Sequence, residues 1–188
     1  MAAASGGPAV MRRAFPLALL VAVVAAGPAQ GATTVKRYNP WTPDGDPVLK
    51  RYVHGSAECT QASRVSSRQD AWRCVSGTTT FDPCFASPTD DEVFCVKAPW
   101  SRSGHLLGAL LEPDTHGTST APDVWGLRIR GRRCKYIPRP PKRRRATYRC
   151  GKRRLLFGRP KRSRPNWTIR MGPNRRNARR VRIRTAWT

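Results

Sequence analysis

The sequence predicts an all-β fold, a small disulfide-stabilised antiparallel barrel or sandwich that is preceded by a signal peptide and an extended linker. Three observations lead to this prediction. Short apolar or aromatic runs recur along the chain, separated by Gly, Pro and Asp. Several runs alternate strictly between apolar and polar residues, and six cysteines are available to cross-link them. Short strands at regular spacing, with turn signals between them, are typical of barrels and sandwiches.

Strict alternation is clearest in residues 125–130, 167–171 and 180–185. Apolar residues take every second position there, and most positions between them are arginines. Because successive side chains of a strand point to opposite faces, we expect the apolar members to face a core and the arginines to face water. Helix signals are scarce, with residues 61–71 the main exception. Further strands are predicted around residues 71–75, 93–96, 148–150 and 154–157.

Residues 1–31 contain the parts of a secretory signal in order. Arg12 and Arg13 form a charged start, residues 14–26 are apolar, and small residues at Ala29 and Gly31 suit a cleavage site. The alternative is an uncleaved membrane anchor, but a spanning helix needs about 17 or more apolar residues and this run is shorter. We therefore expect a secreted or extracytoplasmic protein without a transmembrane span in the mature chain.

All six cysteines follow the predicted signal. An even number of cysteines in an exported chain implies disulfides, because an oxidising compartment keeps thiols paired. Several pairings are possible, and we favour the sequential one because each pair then brackets a short excursion with turn residues inside it. Its bridges are Cys59–Cys74, Cys84–Cys95 and Cys134–Cys150. Zinc is the alternative, but it requires close ligand pairs that this sequence lacks. We expect no metal site and no cofactor.

Two further segments follow from composition. Residues 32–55 are rich in Pro, Asp, Gly and Thr and show little periodicity, with turn signals at 39–40 and 43–45. This composition is typical of a linker or an extended arm. Residues 56–188 are predicted to form the disulfide-bonded β domain, whose C-terminal part, residues 128–188, is strongly basic.

Six short motifs that contain tryptophan or cysteine lie between residues 55 and 187. They are Ala71-Trp72-Arg73-Cys74, Asp82-Pro83-Cys84-Phe85, Pro99-Trp100, Arg133-Cys134, Tyr148-Arg149-Cys150 and Ala186-Trp187. In this order they resemble an uncharacterised family of exported, disulfide-bonded actinobacterial proteins. The resemblance implies an extracytoplasmic domain and no particular activity. The C-terminal part of this chain is more basic than the family pattern, so the resemblance implies nothing that depends on that charge.

Charge is distributed very unevenly along the chain. All eleven acidic residues lie between Asp44 and Asp123, whereas residues 128–188 contain 25 Lys or Arg and no Asp or Glu. Of these bases, 21 are arginines, whose planar fork of donors matches phosphate or carboxylate oxygens. The pattern predicts a non-catalytic binding module for an anionic polymer or surface: a cell-wall polymer, an anionic lipid surface or nucleic acid. Binding would be driven by counterion release with little base selectivity.

The predicted binding residues are bases of the alternating segments and of a basic loop at 138–145. They are Arg128, Arg130, Lys142, Arg143, Arg144, Arg145, Arg170, Arg180, Arg182 and Arg184. One alternative stays open at this point: a GC-rich genome enriches arginine without any dedicated partner, which would leave a structural envelope protein with no ligand.

A secreted hydrolase, such as a basic ribonuclease, is the other alternative. His105, Glu112 and His116 lie within twelve residues and could supply an acid–base set. Their spacing matches no hydrolase motif, and the sequence lacks G-x-S-x-G, H-E-x-x-H and glycine-rich phosphate loops. We predict no catalytic residue.

Overall fold

A computed structural model describes residues 31–112, 117–138, 146–151 and 154–188. These residues form thirteen β-strands and no helix, so the predicted all-β class is confirmed. The predicted signal peptide lies almost wholly outside the described residues and stays a prediction. Nowhere in the described ranges is there a helix that could span a membrane.

Five strands close into a barrel in the order β2-β3-β4-β5-β6. They are β2 (Tyr52–Ala62), β3 (Ala71–Ser76), β4 (Thr79–Ala86), β5 (Glu92–Cys95) and β6 (Gly104–Leu111). Neighbours are antiparallel except β2 and β6, which run in parallel and close the barrel.

The barrel core contains two disulfides. Cys59–Cys74 joins β2 to β3 and Cys84–Cys95 joins β4 to β5, each between directly opposed residues. Val93 and Leu107 pack beside them. A second apolar cluster, which includes Phe85 and Phe94, lies on the opposite face of β4 and β5. Trp125, which precedes the next strand, packs into this second cluster and so joins the barrel to the rest of the fold.

Eight strands form a second sheet in the order β1-β13-β7-β8-β9-β10-β11-β12. They are β1 (Thr34–Lys36), β7 (Gly126–Ile129), β8 (Arg132–Tyr136), β9 (Tyr148–Cys150), β10 (Arg154–Lys161), β11 (Thr168–Gly172), β12 (Arg179–Arg182) and β13 (Thr185–Trp187). One apolar cluster lines its inner face, from Leu127 and Ile129 on β7 to Ile169 on β11 and Val181 on β12. The Cys134–Cys150 disulfide joins β8 to β9 within that cluster.

The third alternating segment, residues 180–185, was predicted as a single strand and is divided into two. β12 pairs with β11, while β13 pairs with β7 and β1 at the other side of the sheet. Only Ile183 and Arg184 connect them, so the sheet must curl to bring its two sides together. The backbone amides of Ile183 and Arg184 donate to the carbonyls of Trp167 and Arg128, respectively, which fixes the corner.

Residues 32–55 were predicted as a linker or extended arm, and the structure shows an arm that is part of the fold. β1 pairs in parallel with β13, and the compact unit begins at Gly31 rather than at residue 56. Trp41 is buried, and its Nε1 donates to the carbonyl of Phe85 at 3.2 Å. Tyr38 packs into the same cluster. Burial of these two aromatic rings holds an otherwise polar segment against the barrel.

The helix signal at residues 61–71 was wrong. The segment between β2 and β3 is irregular because its backbone amides bond to side chains instead of to a helical ladder. The Asp82 carboxylate accepts from the Ser63 hydroxyl at 2.5 Å and from the Arg64 amide at 3.1 Å, and the Ser63 hydroxyl accepts from the Val65 and Ser66 amides. Such local side-chain acceptors compete with helix formation.

The sequential disulfide pairing is confirmed. All three predicted bridges form, and no cysteine is free. Paired cysteines of this kind are typical of proteins in an oxidising or extracellular environment.

Candidate anion-binding face of the eight-stranded sheet

The outer face of the eight-stranded sheet is defined by alternation. Leu127 and Ile129 of β7 point to the apolar cluster. Gly126, which precedes Leu127, and Arg128, which lies between the two, therefore point outward. Residues directly opposite each other on paired strands share a face. The register therefore places Arg133, Lys135 and Arg149 on the same outer face as Arg128. Beyond β9 this face carries Leu155 and Phe157 of β10, which are buried in a small apolar cluster, and then Arg170 and Arg180 on β11 and β12.

Like charges lie directly opposite each other at three places on this face. Arg128 is paired with Arg133 across β7 and β8, Lys135 with Arg149 across β8 and β9, and Arg170 with Arg180 across β11 and β12. All six residues are exposed. Directly opposed side chains have Cβ atoms about 4.5–5.5 Å apart, so each pair of like charges destabilises the free sheet.

Few acids are available to neutralise these bases. Residues 128–188 contain none, and Asp123, just before β7, forms an ion pair with Arg162 at 2.6 Å. The hydrogen bond from Arg162 lowers the pKa of the Asp123 carboxyl, and a second hydrogen bond from Ser67 acts in the same direction. The face therefore keeps a large excess of positive charge.

Five of the ten predicted binding residues are exposed bases in the described structure: Arg128, Arg130, Arg170, Arg180 and Arg184. Arg182 is half-buried, so its position is less open than predicted. The remaining four, Lys142, Arg143, Arg144 and Arg145, lie outside the described residues.

Two of the exposed arginines also have structural roles. The Arg170 guanidinium donates to the backbone carbonyls of Ala178 and Arg175 at 3.1–3.3 Å, which ties down the connection between β11 and β12. Arg130 occupies the tip of the β7–β8 hairpin with a φ of 47°, followed by Gly131 with a φ of 76°. Two positive φ values in a two-residue loop are what a type I′ hairpin turn requires. The Arg130 side chain is thereby displayed at the end of the sheet.

Sequence reasoning missed part of this face. Arg133, Lys135 and Arg149 flank the buried Cys134 and Cys150, and that alternation was a usable signal. Trp100 could not have been found in this way. It lies in the connection between β5 and β6, and its indole covers Gly126: a Cβ at Gly126 would meet Pro99 Cγ at 2.5 Å and Trp100 Cζ3 at 3.1 Å.

Of the residues weighed for catalysis, the structure describes His105 and Glu112, and it does not bring these two together. His105 lies at the start of β6 and Glu112 follows its end, about 23 Å apart along an extended strand at roughly 3.3 Å per residue. His116 lies outside the described residues. The His105 ring packs 4.7 Å from the Phe81 ring and lines a cavity of about 510 Å³ at one end of the barrel, with Lys97 and Asp82.

Asp82 is a half-buried carboxylate of the barrel. Burial raises its pKa, and the hydrogen bonds from the Ser63 hydroxyl and the Arg64 amide oppose part of that rise.

Within the described part of the chain, the one cluster of potential metal ligands is Cys74, Cys84 and Cys95. Their sulfurs are bonded in disulfides and are not available as thiolate ligands.

No protein-family model, curated protein or solved structure matches this chain. The resemblance to exported actinobacterial proteins stays a prediction, and functional inference depends on the geometry of the chain itself.

Proposed function

We propose that this chain is a secreted, non-catalytic binding module for anionic polymers, and that the outer face of the eight-stranded sheet is its binding surface. The observation that supports this most directly is the set of three directly opposed like-charge pairs. Each such pair disfavours the free sheet, because like charges directly opposite each other are destabilising. A bound polyanion would turn this repulsion into attraction, because every base on the face would then have a counter-charge.

The alternative is that a GC-rich genome enriched arginine without any dedicated partner. This alternative predicts that removing a base from the outer face weakens polyanion binding no more than removing a base elsewhere. The binding proposal predicts a strong dependence on position. Three disulfides are consistent with action outside the cell, where cell-wall polymers, anionic lipid surfaces and released nucleic acid are the candidate partners.

The decisive experiment reverses one charge on the face and one on the barrel. Lys135→Glu places a carboxylate opposite Arg149, whereas Lys97→Glu makes the same charge change at an exposed position after β5. Both variants have equal net charge. Binding is measured to inorganic polyphosphate over a salt series, and stability by thermal denaturation.

We expect K135E to weaken polyphosphate binding roughly tenfold or more, since a charged hydrogen bond contributes about 1.5 kcal/mol or more. The same variant should be slightly more stable than the wild type, because a repulsive cross-strand pair becomes attractive. K97E should bind almost as the wild type does. Wild-type affinity should fall by about 10³–10⁵ between 50 and 200 mM salt if six to ten phosphates are contacted. Equal losses in K135E and K97E, or binding that ignores salt, would contradict the proposal.

A further inference from the structure

Two tryptophans lie among the bases of the outer face. Trp187 of β13 is directly opposite Gly126 of β7, and the indole of Trp100 covers that glycine. The two indoles are in edge contact, with ring centroids 5.3 Å apart and planes at 66°. Both side chains are half-buried and so remain partly open to solvent. Gly126 suits this arrangement, because a Cβ there would collide with Pro99 Cγ at 2.5 Å and crowd Trp100 Cζ3 at 3.1 Å.

Exposed bases frame the tryptophan pair along one row of the sheet. The row runs across five strands through Lys36, Trp187, Gly126, Lys135 and Arg149. At about 4.8 Å between neighbouring strands it is roughly 19 Å long. The pair therefore lies between a base on β1 and two bases on β8 and β9, all exposed.

Arg133 links the aromatic pair to the charged surface. Its guanidinium lies over the Trp100 ring, 5.9 Å from the ring centroid, while the residue remains exposed. A guanidinium on an aromatic face keeps its N–H donors available at its edge. The same spot thus combines aromatic rings with donors for phosphate oxygens.

We propose that the anionic polymer bound by this face is single-stranded nucleic acid, and that Trp100 and Trp187 form a stacking platform for its bases. This inference rests on the proposed function and specifies its ligand. Proteins that bind single strands combine a cationic track with aromatic side chains on which bases stack. Stacking requires bases that are not paired within a duplex, so the platform selects single strands.

Other polyanions would contact the bases of this site but would not stack on its tryptophans. Polyphosphates and teichoic-type polymers have no planar ring and would engage the bases alone. Neutral sugar hydroxyls are recognised through side-chain acceptors as well as donors, whereas Lys36, Arg133, Lys135 and Arg149 around the pair offer only donors. The site therefore suits a ligand that has both phosphate oxygens and flat rings.

The test compares two probes with equal numbers of phosphates: an oligothymidylate and an abasic oligodeoxynucleotide of the same length. We expect the oligothymidylate to bind about 10- to 100-fold more tightly to the wild type, since stacking contributes about 1–3 kcal/mol per base. It should also quench tryptophan emission, and the abasic probe should not. In Trp100→Leu the difference between the two probes should fall to less than about threefold, with binding of the abasic probe unchanged.

Trp100→Phe keeps an aromatic ring and should restore most of the difference. Trp167→Leu is the matched control, because Arg162 lies over the Trp167 ring at 5.1 Å but this tryptophan packs against the inner cluster. Thermal denaturation identifies any variant that fails to fold. If W100L does not fold, the difference between the two probes in W100F and the quenching of wild-type emission still test the stacking platform.

The outcomes separate the two proposals. If neither probe binds at low salt, both the polyanion function and the platform are refuted. Equal affinity for the two probes, without quenching, refutes the platform and leaves the polyanion function in place. A polyuronate with the same number of charges is measured as a third probe. If it binds more tightly than oligothymidylate and this binding is lost in W100L, the nucleic-acid assignment is overturned in favour of an acidic polysaccharide.

Discussion

The five-stranded barrel and the eight-stranded sheet use the same kind of core and very different surfaces. Each encloses apolar side chains around cross-strand disulfides, two in the barrel and one in the sheet. Between residues 52 and 111 the chain has five bases and six acids, whereas residues 128–188 have 25 bases and no acid. Core composition follows from the need to bury strand faces, and that need leaves the outer positions free to differ.

This difference assigns different tasks to the two regions. The barrel is nearly neutral and contains two of the three disulfides. Its stability therefore depends mainly on these disulfides and on the burial of apolar side chains. The sheet carries repulsive pairs such as Lys135 and Arg149 and has only one bridge to offset them. The sheet is the region whose stability should respond to salt and to anions.

The largest expected effect comes from removing disulfides region by region. Replacing Cys59, Cys74, Cys84 and Cys95 by Ala removes both barrel bridges, each of which contributes about 3 kcal/mol in the loop-entropy view. The sum of about 6 kcal/mol is comparable to the whole stability of a typical domain, so this variant should be largely unfolded at 25 °C. C134A/C150A should lose about half as much and stay folded. Urea denaturation followed by circular dichroism checks both, and the reverse order of stability would contradict the comparison.

A smaller effect of opposite sign is expected from relieving repulsion on the sheet. Arg128→Thr removes the charge opposite Arg133 and should stabilise the protein by up to about 1 kcal/mol at low salt. The gain should disappear near 1 M salt, where the screening length is about 3 Å. Arg102→Ser removes the same charge from the exposed β5–β6 connection and should change the melting temperature little. A gain in R128T that persists at high salt would show that packing, not charge, is responsible.

Local pattern was sufficient for much of the fold. Alternation around Ile169 and Leu127 predicted which side chains are buried, and cysteine spacing predicted all three bridges. Long-range contacts were not predictable in this way. Trp41 is buried through a hydrogen bond to a residue 44 positions away, so its segment reads as a linker when taken alone. The division of residues 180–185 depends on the curl of the whole sheet, which no single strand specifies.

The candidate site shows the same limit. Exposure of Arg128 and Arg180 follows from the alternation of their own strands. The opposition of Lys135 and Arg149, and the position of Trp100 over Gly126, depend on register between strands and on a distant loop. Sequence could therefore predict that the region is basic, but not which bases face each other or which rings lie among them.

The stability of the two regions should respond differently to acid, because the pKa of Asp82 is raised and the pKa of Asp123 is lowered. Burial raises the pKa of Asp82 in the barrel, so the folded state holds this proton more tightly than the unfolded state does. The stabilisation is complete below the ordinary pKa of 3.8 and is lost as pH rises through the folded-state value. Relative to Asp82→Asn, the wild type should therefore gain stability as pH is lowered from 7. Parallel pH profiles for D82N and the wild type would show that this carboxylate does not contribute.

The smallest effect is expected just before β7, where Asp123 accepts hydrogen bonds from Arg162 and Ser67. Its pKa is lowered, so its contribution is present above the ordinary value of 3.8 and is lost as pH falls through the folded-state value. Because the pair is exposed, Asp123→Asn should cost no more than about 0.5 kcal/mol at pH 7, and less at high salt. Asp91→Asn, an exposed carboxylate in the barrel, is the control. The difference between D123N and the wild type, measured by urea denaturation at pH 7 and again at pH 2, should be smaller at the lower pH. A difference that does not change with pH would mean that the Ser67 hydrogen bond, not the charge of Asp123, links this loop to the barrel.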